Sequence, residues 1–131
     1  MTTLLRLVLG LLLVGTGLLG CVTAPIRDVE NVPIRMQRAD YTLDDVGKAI
    51  TRAGTFTSWQ METIRPGFIM AIYARPDYSA AVTITFTRTA YSIKYHNSRN
   101  LDYQEGGEIH ENYNVWVSDL DDAIRRELAI E

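Results

Sequence analysis

Apolar spacing changes period twice along this chain, and that alternation limits the folds open to it more than any other feature. Between Tyr41 and Gly54, Leu43, Val46 and Ile50 recur at helical spacing, with Ala49 and Ala53 filling in. From Phe56 to His96 the period falls to two, as in strands with one buried face. From Asn112 to Ala129 helical spacing returns: Tyr113, Trp116, Val117, Leu120, Ile124 and Leu128 form one stripe, with Trp116 central in it. Asp119, Asp121, Asp122, Arg125 and Arg126 take the other side. A helix, a run of strands and a second helix predict an α+β domain.

Turn residues divide the middle stretch into four strands, near 56–64, 68–75, 79–88 and 90–96. Arg65-Pro66-Gly67 suits a type II turn, because proline presets the first central angle and glycine accepts the positive second one. Arg75-Pro76-Asp77 and Thr87-Arg88-Thr89 mark the other reversals. Connections this short join antiparallel neighbours, so the sheet is expected to be a four-stranded meander. Val82, Ile84, Phe86, Tyr91, Ile93 and Tyr95 share a greasy face that Trp59 and Met61 extend. Gln60, Glu62, Thr83, Thr85, Lys94 and His96 share a polar one, which such sheets commonly leave to solvent. Phe68 to Tyr73 is apolar on both sides and belongs inside the sheet. Both helices are expected on the greasy face.

Thr42 and Asp45 make a capping box at the start of the first helix, Asp44 stands four residues before Lys48, and Gly54 is read as the stop. Ahead of it, residues 21–40 read as a tether, with Pro25, Pro33 and mixed charges but no helical period. Its 19 residues after Cys21 reach about 60 Å when extended at 3.3 Å each. Val29, Val32 and Ile34 are its apolar points, equally suited to a short edge strand.

Residues 97–111 separate the last strand from the second helix and hold the candidate binding residues Asn100, Asp102 and His110. Asp102, Glu108, His110 and Glu111 are of the types used for acid/base work or metal binding. Their spacing matches no zinc pattern, and the chain has no HExxH, GxSxG or phosphate-binding glycine loop, so no catalytic residue, metal or cofactor is assigned. The alternative is structural: Asn and Asp bond nearby amides, Gly106 and Gly107 reverse the chain, and Leu101, Tyr103 and Ile109 pack down as anchors. His110, just ahead of the second helix, is the residue of the three expected to face a partner.

The chain opens with Arg6 and a 13-residue apolar run, Leu7 to Leu19, shorter than the roughly 20 residues a membrane-spanning helix needs. It ends in Leu18-Leu19-Gly20-Cys21, with Cys21 the only cysteine. This segment resembles the lipobox of bacterial lipoprotein precursors. The resemblance implies a signal peptide over 1–20 with Leu18, Leu19 and Gly20 as its cleavage determinants. Cys21 is then the lipidated first residue of the mature chain, carrying palmitate-type acyl chains. Val22, where aspartate would signal inner-membrane retention, implies the periplasmic face of the outer membrane. Losing Arg6 moves the net charge from −3 to −4, which excludes a nucleic-acid balance.

A second likeness runs through Tyr95, Ser98, Asn100-Leu101-Asp102-Tyr103, Gly107, Ile109-His110, Asn112-Tyr113-Asn114, Trp116-Val117 and Leu120, and through Tyr41 to Ile50. It is similar to small proteobacterial lipoproteins of unknown function and implies a location and a domain shape without an activity. Together these lead to a single domain over 41–131. The expected role is a structural or protein-interaction module of the envelope, tied to membrane through Cys21 and to an envelope protein partner. An envelope enzyme or a small-ligand or glycan-binding protein using the 97–111 loop is the alternative.

Overall fold

The computed structural model describes residues 22–130, so the apolar run, the lipobox and Cys21 lie outside the described residues. In chain order come β1 (Thr23–Pro25), β2 (Val29–Pro33), α1 (Leu43–Phe56), β3 (Gln60–Arg65), β4 (Phe68–Ala74), β5 (Ser79–Phe86), β6 (Ala90–Arg99), β7 (Glu108–His110) and α2 (Asn112–Ile130). The main sheet has the order β2-β6-β5-β4-β3, and β1 pairs with β7 in a separate two-stranded ribbon. Every pairing is antiparallel. The expected meander is therefore present as β3 to β6, but the sheet has five strands and not four.

The additional strands come from the segment read as a tether, and that reading is corrected. Val32 pairs with Tyr91 and Val29 with Ile93, with one extra residue between them on β2. At this bulge Asn31 takes a φ of 51°, and its amide donates to Ser92 Oγ at 2.9 Å. Val32, Ile34 and Met36 are buried. The prolines, taken as signs of an open chain, sit at the last residues of β1 and β2, where a missing amide is tolerated.

One face of the main sheet is covered. Across it run the pairs Met61 with Ala71, Ala71 with Val82, Ile69 with Ile84, Ile84 with Ile93, and Phe86 with Tyr91. Ile69, Ala71, Val82 and Ile84 are completely buried. Both helices lie on this face: Gly47 of α1 approaches the Phe86 ring and Gly54 approaches Met61, while on α2 Tyr113 meets Tyr95 edge-on and Trp116 stacks on Tyr73. The opposite face keeps Glu62, Thr85, Lys94 and His96 exposed, although Phe68, Met70 and Ile72 of β4 put a half-buried apolar row among them. Arg65 covers Phe68, its guanidinium 4.4 Å from the ring centre.

The start of α1 follows the capping pattern. Thr42 Oγ1 accepts from the Asp45 amide at 3.2 Å, and Asp45 Oδ2 accepts from the Thr42 amide at 2.8 Å. That backbone bond first, with the Thr42 hydroxyl and Arg38 assisting, holds the Asp45 carboxyl below its ordinary value of 3.8. Its contribution to stability is present above the unfolded value and is lost as pH falls through the lower folded one. The stop is not Gly54, which lies inside the helix. A methyl group at Gly54 would stand 2.1 Å from Met61 Sδ, so this glycine serves close approach to β3. The helix runs on to Phe56 and is capped at Thr57, with Ser58 at φ 71° and the Trp59 amide donating to the Gly54 carbonyl at 2.9 Å. This is a Schellman closure with serine where glycine usually stands.

On α2, Tyr113, Val117, Leu120, Ile124 and Leu128 are buried as the stripe predicts. Trp116 is only half-buried and stands at the border of the stripe, between Tyr73 at 4.6 Å and Tyr78 at 5.4 Å, both stacked. The central anchor is instead Tyr91, whose hydroxyl donates to the Asp121 carboxylate that Arg125 Nε also approaches at 3.1 Å. Burial, and then this bond, push the Tyr91 hydroxyl pKa far above its ordinary value.

Two substitutions test this account by urea unfolding. Ser58→Gly relieves a left-handed residue and should stabilise by about 1 kcal/mol. Tyr91→Phe removes a hydrogen bond to a partly buried carboxylate and should cost about 1.5 to 3 kcal/mol, the range for a hydrogen bond to a charged group. A Tyr91→Phe midpoint equal to that of the parent protein would show that the Asp121 bond contributes nothing.

Candidate functional site

The 97–111 segment is less of a loop than its composition suggests. Residues 97–99 continue β6, because a bulge at His96 lets Asn97 pair with Ala81 and Arg99 with Ser79. Residues 108–110 form β7, with Thr23 opposite His110 and Ala24 opposite Ile109. The reversal between them is the expected glycine turn: Gly106 and Gly107 have φ of 104° and 90°, and the Gly107 amide donates to the Gln104 carbonyl at 3.1 Å. Leu101 and Ile109 are buried as anchors. Tyr103 is not. It is 47% exposed and lies flat against Tyr95 at 4.8 Å, so its ring covers the edge of the core from outside.

The three candidate binding residues do not converge on one point. Asn100 is exposed, and its side-chain nitrogen donates to the Asp77 carbonyl at 2.8 Å, tying the segment to the β4–β5 turn. Asp102 is exposed, with a φ of 53°, close to the 55° of Asn100. Asn and Asp are the residues that tolerate this left-handed conformation best after glycine, which accounts for both types without a ligand. His110 is half-buried. Its amide donates to the Leu101 carbonyl at 2.7 Å, and its Nδ1 accepts from the Asn112 amide at 3.1 Å. The half-buried ring therefore caps the first turn of α2 through Nδ1.

Among the described residues, no group of three or more His, Cys, Asp or Glu side chains lies close enough to hold a metal ion. Sequence reasoning did miss two clefts. One, of about 470 Å³, lies between α1 and the β3–β4 turn, lined by Leu43, Gly47, Pro66 and Phe86 with Lys48 and Arg52 at its rim. Both cations have carboxylate partners, Lys48 with Asp44 at 2.9 Å and Arg52 with Glu127 at 3.3 Å. The other, of about 300 Å³, is bordered by Ser58, Trp59, Tyr73, Trp116, Asp119 and Arg126. Trp59 Nε1 is buried without a hydrogen-bond partner at this cleft. Trp116 at this cleft stacks with both Tyr73 and Tyr78. Both clefts join residues distant in the chain, and only helix–sheet packing creates them.

Comparison with family models, with curated proteins and with solved structures gives no match. Function must therefore be argued from the chain itself.

If the left-handed backbone is what Asp102 serves, Asp102→Gly should leave the urea midpoint unchanged or raise it. Asp102→Val should lower stability by about 1 to 2 kcal/mol, the cost of forcing a branched residue into that region. Equal losses in both variants would instead assign the carboxylate itself a role.

Proposed function

We propose that this chain is a lipid-anchored lipoprotein of the bacterial cell envelope. Cys21 carries the acyl chains, and the domain faces the periplasm from the outer membrane as a structural or protein-interaction module. The observation that carries the reading is Leu18-Leu19-Gly20-Cys21 at the end of a 13-residue apolar run. Several features support it. Cys21 is the only cysteine, so the thiol has no disulfide partner within the chain. The run is short for a permanent span, and no helix among the described residues is long and apolar enough to cross a membrane. One acyl chain holds a protein to a bilayer only marginally, whereas two or more hold it stably.

A role as module rather than enzyme is supported by the use each candidate residue already has: Asn100 and His110 bond the domain's own backbone, and Asp102 occupies a left-handed turn position. The half-buried apolar row of β4 is a further surface that a protein partner would dehydrate.

Mass spectrometry of protein taken from membranes should find Cys21 as the first residue, with diacylglyceryl and acyl groups attached. Cys21→Ser should shift the protein out of the outer-membrane fraction, and a chain starting at Val22 should remain in the aqueous fraction. An unmodified Cys21 in membrane-bound native protein would refute the proposal.

A further inference from the structure

The segment expected to hold the domain away from a membrane is itself folded into the domain. The Val22 carbonyl accepts from the Glu111 amide at 3.0 Å, and the Ile26 amide donates to the Gly107 carbonyl at 2.7 Å. Between them, Thr23 to Pro25 pair with β7. Asn114 clamps the same strand from α2: its side-chain nitrogen donates to the Pro25 carbonyl at 2.9 Å, and its Oδ1 accepts from the Arg27 amide at 3.0 Å. No slack remains after Val22. Adjacent Cα atoms are about 3.8 Å apart, so a lipid on Cys21 enters the bilayer within about one residue of the start of α2. The 60 Å reach computed for an extended tether does not apply.

We infer that the end of the domain formed by Val22, the β7 turn and the first turn of α2 lies against the lipid headgroups, so that the 97–111 segment is a membrane-facing surface. The inference rests on lipidation of Cys21. Three of the six large apolar side chains exposed among the described residues belong to this end: Val22 at 59%, Val115 at 54% and Tyr103 at 47%. Val115 lies in the first turn of α2, directly after Glu111, whose amide binds Val22. Tyr103 reaches the same region through Tyr95, which meets Tyr113 of the first turn edge-on. Tyrosine suits a headgroup zone because its ring is apolar and its hydroxyl remains wet.

Charge does not provide the contact. Glu105, Glu108 and Glu111 lie at this end and are exposed, so anionic lipid would repel it. The short covalent connection sets the orientation, and the apolar side chains make that orientation tolerable. Opposite lies the other end of α2, about 28 Å away at 1.5 Å per residue, where Gln37 donates to the Ala129 carbonyl and Arg35 is exposed. That distal end is the part presented outward.

The test uses full-length lipidated protein in phosphatidylcholine vesicles that contain a headgroup nitroxide. Single cysteines at Tyr103→Cys, Val115→Cys or Arg35→Cys carry the fluorophore, since the Cys21 sulfur is consumed as a thioether. Labels at 103 and 115 should be quenched severalfold more than the label at 35. A 20-residue Gly/Ser linker inserted between Cys21 and Val22, with a root-mean-square span of about 25 Å, should remove most of that difference. Equal quenching at the three positions, stronger quenching at 35, or a contrast that survives the linker would overturn the orientation while leaving lipidation intact. An unmodified Cys21 with no vesicle-bound protein would overturn both, and mass spectrometry tells the two failures apart.

Discussion

A sheet with one apolar face must have that face covered, and the remainder of this structure follows from how the covering is done. Ile69, Ala71, Val82, Ile84 and Ile93 line the face and are almost wholly removed from water. Burying a side chain of this size contributes about 1.5 to 3 kcal/mol, so leaving the face open would forfeit most of the stability a domain of this length possesses. Two helical stripes do the covering. Where they approach closest, the chain uses Gly47 and Gly54, because a methyl group at either would press on Phe86 or Met61. Where a polar group must be buried with them, the Tyr91 hydroxyl finds Asp121.

The helices leave the β6 edge of the sheet and the segment before α2 without support, and the N-terminal residues supply it. β2 closes the β6 edge, which would otherwise present unpaired amides and carbonyls as a template for another chain. β1 holds β7, and through β7 it holds the 97–111 segment in shape. The same residues thus stabilise the domain and set its distance from whatever is attached at Cys21. A tether and a structural strand are competing uses of one segment, and here the backbone pairing takes it for the fold.

Candidate binding residues in such a segment are hard to read from sequence because ligand recognition and backbone satisfaction use the same side chains. Asn100, Asp102 and His110 are a reasonable set of binding groups by type. In the structure, one bonds the Asp77 carbonyl, one fills a left-handed position and one caps α2. The signals for these roles were partly present: Asn and Asp two residues apart before a Gly-Gly turn indicate unusual backbone angles. The partner of His110, the Asn112 amide, is only two residues on and belongs to the start of α2, whereas nothing local pointed to the two clefts, whose walls come from separate elements. Tyr103 misled because an aromatic residue in a polar stretch reads as a core anchor, whereas here its ring lies outside Tyr95.

By itself, the sequence determined the α+β class, the meander of β3 to β6, both helices, the capping box at Thr42 and Asp45, and the buried stripe of α2. Each of these is written in period, turn chemistry or capping, and such signals act between residues a few positions apart. Only the tertiary structure decided that residues 22–36 belong to the domain, that α1 ends in a Schellman closure at Ser58, and that Trp116 stands at the border of its stripe. Those outcomes depend on which strand edge is free, how closely α1 approaches Met61, and where Tyr73 and Tyr78 meet α2. They are contacts between segments far apart in the chain, 89 residues for Val22 and Glu111, and the residue spacing within either segment carries no trace of the other.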